Sequence, residues 1–433
     1  FKPRIFSTNE ILMQSEYRKK TKNSSHIVDF SLNNDQSISN DTRTHFFSNS
    51  NINLESKFFE ESSIFLKLEK ISSDNYAAIY NLEGTSPIIS DTSTLESSLE
   101  FSGIKNDFYF DISAEAYEKM NVHNSDKYEF VYPNYSLSKL FNIENNYLNN
   151  YEIISSGNQK KYSTNIYEMS QVNDILISSN QFILSDIFET NFRTLFKNVN
   201  TKGKNSDTYK DKTQSEILSN FLYDISLPLR KTEEKYTKFL TPKLSIRHSP
   251  NKTKNIQDLD RQLNIDNIFS LNRIGTDDEI ESGTSLTVGS EFLIKNENQS
   301  DIFSFDLGTV FREKENKNLP SNSTLRNSQS DIVGGLSFSG TENWKINYKF
   351  SADNDLNTVN LHSLGNTFNV NNFIHTFEFY EENNSLGDNS YYSNTLTYEA
   401  NNSNFISFRT RRNNKTNLTE FYNLIYEYKN DCL

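Results

Sequence analysis

Apolar residues alternate with polar or small ones along short segments, and this period of two constrains the fold more than any other feature of the sequence. The pattern is clearest in two neighbouring segments, whose apolar members are Leu286, Val288, Phe292 and Ile294 in the first and Phe303, Phe305, Leu307 and Phe311 in the second. Successive side chains of a strand point to opposite faces, so each segment is predicted to be a strand between an apolar and a polar environment. We expect the eight apolar side chains to face outward on adjacent antiparallel strands.

The same alternation predicts further strands along most of the chain. They cover residues 28–32, 52–58, 64–68, 95–101, 108–112, 221–227, 332–338, 344–350, 373–379, 391–400, 405–411 and 422–428, with a weaker strand at 359–368. The total is roughly sixteen to eighteen strands. Between residues 135 and 220 the period is poor, and we expect either a long loop or strands that the pattern does not place.

Composition separates a membrane barrel from a helical membrane protein. Aromatic residues make up 13% of the 433-residue chain against 34% for all hydrophobic residues, and this skew favours strands. No stretch approaches the ~18 consecutive apolar residues of a transmembrane helix. The low mean hydropathy is typical of a barrel, because only alternate residues of its strands face lipid.

The connections between predicted strands alternate in length. Long links at 249–283, 313–329 and 381–389 are interleaved with short ones at 296–300, 341–343 and 401–404. Outer-membrane barrels have short periplasmic turns and longer outer loops, so the fold class is predicted to be all-β, a large antiparallel transmembrane β-barrel. The link 249–283 is then an extracellular loop, and Cys432 falls on the short-turn side.

Two alternatives fit parts of this pattern. A porin or a TonB-dependent receptor has the same architecture and a diffusion or uptake function. A secreted β-rich adhesin or solenoid is also rich in Asn, Ser and Thr, but a solenoid needs a repeat of fixed length, and the sequence has none.

Charge and motifs exclude several classes of function. A formal net charge of −13 argues against a nucleic-acid partner, since nothing concentrates positive charge. The sequence contains no nucleophile elbow, no HExxH and no ligand-spaced cluster around its histidines, His26, His45, His123, His248, His362 and His375. The acidic run at 277–281 is expected by chance in so acidic a chain. We therefore predict no enzyme activity, no cofactor and no metal, and any disulfide partner of the single Cys432 lies outside this chain.

The link 249–283 is too apolar to be freely solvated. Ile268, Phe269 and Leu271 lie within it, and Arg273 stands among several carboxylates. We expect this loop to be ordered and packed in the barrel mouth, where it buries Phe269 and Leu271 and pairs Arg273 with a carboxylate.

Around this link the sequence resembles the LptD family of outer-membrane lipopolysaccharide assembly proteins. The first matching segment is a strand that begins at Leu240 and ends near Pro250. Next come the family-motif residues Asp266, Asn267, Phe269, Asn272, Arg273, Gly275, Glu281 and Gly283, the last of which opens the following strand. Residues 420–428 followed by 430–432 resemble a family strand that ends in a periplasmic cysteine, and residues 14–18 match more weakly.

The resemblance implies insertion of lipopolysaccharide into the outer leaflet without covalent chemistry. It implies a very large barrel that opens laterally between its first and last strands, an LptE-like lipoprotein plug in the lumen, and a periplasmic Lpt bridge. On this view residues 1–433 are a barrel fragment in the cell outer membrane that lacks an upstream jelly-roll domain and the last strands. Cys432 matches a family disulfide position whose partner would lie in that missing domain.

Overall fold

A computed structural model describes residues 1–5, 11–34, 42–82, 86–89, 91–123, 125–341, 343–401 and 403–428. These residues form 24 strands, which are numbered β1 to β24 in chain order. The strands are Lys2–Ile5, Ile11–Lys20, Ser24–Asn34, Thr42–Asn53, Glu61–Ile71, Thr94–Lys105, Phe108–Lys119, Tyr128–Asn142, Leu148–Tyr162, Ile166–Ser179, Phe182–Leu184, Phe188–Lys204, Gln214–Ser226, Leu229–Thr232, Tyr236–Ser249, Gly283–Asn296, Asp301–Arg312, Ile332–Thr341, Trp344–Ala352, Val359–Val370, Phe373–Glu382, Ser390–Asn401, Asn404–Asn413 and Leu418–Tyr428.

Where the chain is described, helical structure is limited to single turns in the links between strands. The described residues contain one α-helical turn, α1 at Tyr76–Ile79, and two 3-10 turns at Thr324–Arg326 and Asn384–Leu386. None of these helices is long and apolar enough to cross a membrane.

The chain divides into two compact units. Unit 1 contains Phe1–Ile143, Asn150–Leu176 and Phe196–Ile217, and unit 2 contains Glu144–Asn149, Ile177–Leu195 and Leu218–Leu433. In unit 1 the strands from β1 to β9 pair in chain order, each antiparallel to the next. In unit 2 the strands from β15 to β24 do the same.

Links in unit 2 differ in length between the two ends of its strands. At one end the links are 250–282, 313–331, 353–358, 383–389 and 414–417, and at the other they are 297–300, 342–343, 371–372 and 402–403. The second set spans two to four residues each, whereas the first reaches 33 residues at 250–282. The alternation expected from the sequence is therefore present in this unit.

Each unit exposes an apolar strand face and covers a polar one. In unit 1, Phe30 and Leu32 of β3 are exposed, whereas Asp29, Ser31 and Asn33 on the opposite face are buried. The usual arrangement of a water-soluble sheet is the reverse, with its apolar face covered and its polar face in solvent. An apolar outer face with a polar inner one is the pattern of a strand that crosses a membrane.

Unit 2 repeats this arrangement on the two strands that the sequence marks most clearly. Leu286 pairs with Phe311, Phe292 with Phe305, and Ile294 with Phe303 across β16 and β17. All eight predicted apolar side chains thus share one face of adjacent antiparallel strands, which confirms that part of the prediction. On the other face Ser285 and Thr287 are buried.

The N-terminal half differs from the sequence prediction at 52–58 and 135–220, and it also contains β2, Ile11–Lys20, which was not predicted. The strand predicted at 52–58 is wrong, since β4 ends at Asn53 and residues 54–60 form a link whose Phe59 packs on Phe101, with 5.7 Å between ring centroids. Residues 135–220 form strands β8 to β13 rather than a long loop. Several of these strands are polar on both faces, so the sequence shows no alternation there, and the predicted total of sixteen to eighteen strands was too low.

Candidate functional site

The link 250–282 is ordered and packs against the polar strand face of unit 2. Its buried apolar side chains join residues of β17, β18 and the link 313–331 in one cluster: Leu263, Ile268, Ile274, Val310, Leu319, Leu325 and Val333, with Ile256, Ile265 and Phe269 packed against it. Leu271 is also buried, and Phe269 is half-buried. Burial of such side chains stabilises the link by about 1.5–3 kcal/mol each.

Glycines in the strands make room for these side chains. A Cβ atom on Gly289 would lie 2.7 Å from the Phe269 ring, and one on Gly308 would lie 3.1 Å from Ile268 Cδ1. Larger residues at these positions would therefore displace the link, and at Gly289 also β17, whose Leu307 carbonyl lies nearest to the added Cβ. The two glycines lie on the face opposite the exposed apolar side chains, so the link covers the polar face.

Glu281 and two arginines form a buried ionic group where the link joins β16. Arg273 donates from Nε to Oε2 of Glu281 at 2.9 Å and from Nη2 to Oε1 at 2.6 Å. Arg312 of β17 donates to the same Oε1 and, at 2.6 Å, to the Ser282 carbonyl. The remaining donors of Arg273 reach Ser285 and Thr287. The prediction that Arg273 pairs with a carboxylate is confirmed.

A second set of side chains holds the backbone of residues 269–271. Arg247 of β15, which is almost completely buried, donates to the carbonyls of Ser270 and Leu271. Asn220 of β13 also donates to the Leu271 carbonyl, at 2.6 Å. Arg193 of β12 donates to the Phe269 carbonyl at 3.1 Å and to Asp224 at 2.8 Å. Strands that are distant in sequence thus fix one short stretch of the link.

The charges around Glu281 are strongly coupled. Burial alone would raise the pKa of Glu281, but the positive charges of Arg273, Arg247 and Arg312 outweigh burial and lower this pKa to about 2. By contrast, burial raises the pKa of the neighbouring Glu279, whose carboxylate accepts the backbone N–H groups of Lys254 and Ile280. Glu281 therefore carries the negative charge that compensates the buried arginines.

The other family-motif residues shape the turn of the link. Asn267 donates to the Gln262 carbonyl at 2.9 Å, and Asn272 donates to the Thr276 carbonyl at 3.0 Å. Gly275 has φ +67° and Gly283 has φ +90°, which are conformations that favour glycine. Asp266 is exposed and forms an ion pair with Lys349 of β19. Cys432 lies outside the described residues.

Sequence reasoning singled out Arg273 and Glu281 but missed Arg247, Arg312, Arg193 and Asn220. A signal was available for two of them. Arg312 and Arg247 occupy polar alternate positions at strand ends next to the link, where a long cation is expected only if it has a partner. The partners themselves follow from strand pairing, which the sequence pattern does not give.

Unit 1 has its own packed link between β5 and β6, the link 72–93, of which residues 72–82, 86–89 and 91–93 are described. Tyr76 and Tyr80 are fully buried, and their hydroxyl groups bond to Ser31 and Asn33 of β3. Ser31 also bonds to His45 of β4, which lies 3.4 Å from Asp29. Cross-strand pairing brings Ser31 opposite His45, a contact that residue spacing in the sequence does not show. Burial raises the pKa of Tyr76 to about 12.

Both sites hold segments of chain in place. Glu281 and the three arginines around it, Arg247, Arg273 and Arg312, are bonded to protein atoms. Within the part of the chain that the structure describes, no group of three or more His, Cys, Asp or Glu side chains is placed to hold a metal ion.

Long antiparallel strands with an exposed apolar face and a covered polar face define the class of outer-membrane β-barrel proteins. The chain belongs to the LptD family: its sequence matches LptD, LPS transport system D, over residues 41–413. This is a family of large β-barrels that transports lipopolysaccharide and is not enzymatic. The match favours the transport function over a porin, a receptor or an adhesin.

Comparisons with individual proteins give only weak structural similarity. No curated protein matches the chain by sequence. The solved structures that are similar include the alcaligin outer membrane receptor FauA from Bordetella pertussis, with 9% identity and a TM-score of 0.38 over 93% of this chain and 68% of that one. They also include the copper transporter OprC, with 8% identity and a TM-score of 0.39 over 95% of this chain and 73% of that one. At such TM-scores neither protein bears on the function of this chain.

Proposed function

We propose that this protein inserts lipopolysaccharide into the outer leaflet of the outer membrane by non-covalent translocation. One observation carries the proposal: in a chain of the LptD family, each unit covers polar side chains on one strand face and exposes apolar ones on the other. Lipopolysaccharide has a large polar sugar part and an acyl part. The polar face suits the sugars, and the apolar exterior suits the acyl chains.

Release into the membrane requires a lateral opening. We place it between the first and last strands of the complete barrel, because only a weakly paired edge can open without breaking a continuous ladder. The sugars would then pass along the polar face while the acyl chains leave through the opening. The energy would come from a periplasmic Lpt bridge that delivers the lipid.

The link 250–282 would lie at the extracellular end, since short turns of outer-membrane barrels are periplasmic. Its family-motif residues act here as positioning residues. Arg273 and Glu281 fix the link on the polar face, so the link is a permanent cover rather than a moving gate. A fixed cover would direct the sugars sideways, towards the lateral opening.

An LptE-like lipoprotein would occupy the remaining lumen. The family membership implies such a plug, and the polar face gives a surface on which a polar partner can bind. Copurification of a lipoprotein with the full-length protein from its native membrane would support this pairing. Purification of the barrel alone, under conditions that preserve outer-membrane complexes, would contradict it.

Cys432 is proposed to form a disulfide with a periplasmic domain of the full-length protein. The short-turn side of the strands would face the periplasm, an oxidising compartment in which a disulfide persists. Non-reducing electrophoresis of the full-length protein and of its Cys432→Ser variant tests this. A shift in mobility is expected, and identical mobility would contradict the proposal.

The function itself is tested by depletion in the source organism. Depletion is expected to lower lipopolysaccharide at the cell surface, measured by labelling of intact cells, while total lipopolysaccharide persists inside. Restoration by the wild-type gene is the control. Unchanged surface lipopolysaccharide after depletion would overturn the proposal, and loss of small-solute uptake alone would indicate a porin or receptor.

A further inference from the structure

Four phenylalanines form an aromatic band at one end of the strands of unit 1. Phe101 of β6 and Phe108 of β7 lie on the exposed apolar face of these strands. Phe59 of the link 54–60 packs onto that face, with its ring centroid 5.7 Å from that of Phe101 and 6.4 Å from that of Phe108. Phe58 packs edge-on against Phe59 and stays 59% exposed. The aromatic band therefore extends the apolar face as far as the link.

Two lysines stand at the edge of the aromatic band. Lys105 pairs with Phe108 across β6 and β7, and Phe108 pairs in turn with Lys139 of β8. Because directly paired residues point to the same side of a sheet, the two lysines flank one ring on the apolar face. The Nζ atom of Lys105 lies 4.6 Å from the ring centroid of Phe58, and that of Lys139 lies 5.8 Å from the ring centroid of Phe141. Both ammonium groups are thus held at the border of the apolar surface.

The positive charges of these lysines are not neutralised by a neighbouring carboxylate. Within the ranges that the structure describes, neither Lys105 nor Lys139 forms an ion pair. The acids closest in sequence, Glu60 and Asp107, lie in links rather than on the strand face, and Glu60 accepts the backbone N–H of Asn106 at 3.3 Å. Two unpaired cations beside an exposed apolar surface suit a ligand that is anionic at one end and apolar at the other.

The links at this end of unit 1 are shorter than those at the other end. The links 21–23, 54–60 and 106–107 span two to seven residues, whereas 120–127 spans eight and 72–93 spans 22. Short turns of outer-membrane barrels are periplasmic, so this end of the strands belongs in the periplasmic leaflet. The lipids of that leaflet are phospholipids, each with a phosphate group at the level where a barrel carries its aromatic residues.

We propose that Lys105 and Lys139 bind the phosphate group of a phospholipid in the periplasmic leaflet, with the acyl chains lying along the aromatic band. The phosphate oxygens accept hydrogen bonds from both ammonium groups, which are charge-assisted at both ends. The site lies on the exposed apolar face, whereas the proposed translocation uses the covered polar face. The proposal therefore shares with the proposed function only the orientation of the strands in the membrane.

The test is native mass spectrometry of the full-length protein in detergent, titrated with dioleoylphosphatidylglycerol. Dioleoylglycerol, which has the same acyl chains and no phosphate, is the comparison lipid and should not be retained. Lys105→Gln and Lys139→Gln should each weaken binding of the phospholipid about fivefold, whereas Lys105→Arg and Lys139→Arg should preserve it. The matched control is Lys70→Gln. Lys70 lies on the apolar face at the opposite end of β5, where it is already paired with Glu118 at 2.6 Å, so its loss should leave the affinity unchanged.

Equal retention of the two lipids, or equal affinity of wild type and both glutamine variants, would overturn the proposal. If the glutamine variants lost affinity for lipopolysaccharide and kept it for the phospholipid, the assignment to the periplasmic leaflet would be overturned. Heat-modifiable gel mobility establishes that each variant is folded. Surface labelling of lipopolysaccharide tests the proposed function independently, because a failed phospholipid site in a protein that still delivers lipopolysaccharide overturns only the site.

Discussion

The links 72–93 and 250–282 cover the polar strand faces of their own units by different chemistry. In unit 1 the anchors at the buried tyrosines are neutral, since the hydroxyl groups of Tyr76 and Tyr80 bond to Ser31 and Asn33, and the ion pair of Asp74 with Lys127 lies nearer the surface. In unit 2 the anchors are charged, with Glu281 between Arg273 and Arg312. Both links bury an apolar cluster as well. The buried apolar cluster stabilises both links. The polar anchors determine how the stability of each link depends on pH and on the loss of one partner.

This difference means that the two links should open under different conditions. A buried ion group loses most of its stability when one partner is removed, because the other charges remain buried and uncompensated. A neutral hydroxyl bond loses much less when it is removed. Four predictions test this contrast, each read by hydrogen exchange or radical footprinting of the two links in the detergent-solubilised protein.

The largest effect is expected from Glu281→Gln. This change leaves Arg247, Arg273 and Arg312 without their central negative charge, and it should destabilise the link 250–282 by about 3–5 kcal/mol. Hydrogen exchange of residues 250–282 should rise strongly, while that of 72–93 stays as in wild type. Glu297→Gln, at an exposed position in a short turn, is the control. Equal exchange in both variants would refute the charged anchor.

Truncation of the apolar clusters should affect the two links alike. Ile268→Ala and Leu82→Ala each remove a fully buried side chain, and each should cost about 2–5 kcal/mol in its own unit. The controls are Leu259→Ala and Ile79→Ala, which change exposed residues of the same links. If truncation at only one of the two buried positions opens its link, apolar burial does not stabilise both links alike.

Extremes of pH should open the links one at a time. The pKa of Glu281 is lowered from 4.5 to about 2, so its contribution is present above pH 4.5 and is lost as pH falls towards 2. The pKa of Tyr76 is raised from 10 to about 12, so its contribution is present below pH 10 and is lost as pH rises towards 12. Radical footprinting should show 250–282 opening first in acid and 72–93 first in alkali. If both links opened together in acid or in alkali, the claim that their anchors differ in chemistry would be contradicted.

The smallest effect is expected from Tyr76→Phe. It removes one hydroxyl bond to Ser31 and keeps the ring in the cluster, so the loss should be about 1 kcal/mol. Tyr147→Phe, at an exposed tyrosine, is the control. A loss comparable to that of Glu281→Gln would show that the hydroxyl network in unit 1 is as strongly coupled as the ion group in unit 2.

Local sequence was sufficient for the strands whose two faces differ. The alternation at 286–294 and 303–311 determined β16 and β17, their shared apolar face and the position of the long link between Ser249 and Gly283. The reason is that successive side chains of a strand point to opposite faces. When one face is apolar and the other polar, neighbouring residues therefore differ in polarity. Where both faces are polar, as in β9, the same reasoning had no signal.

The tertiary structure alone decided which side chains meet. The sequence marked Arg273 because it stands among several carboxylates, and Glu281 lies only eight residues away. By contrast, Arg312 is 31 residues from Glu281, and Arg247 is 24 residues from the Leu271 carbonyl that it holds. Asn220 reaches that carbonyl from 51 residues away. These contacts depend on strand register, which is set by backbone pairing along whole strands and by the packing of the link, and no local pattern encodes either.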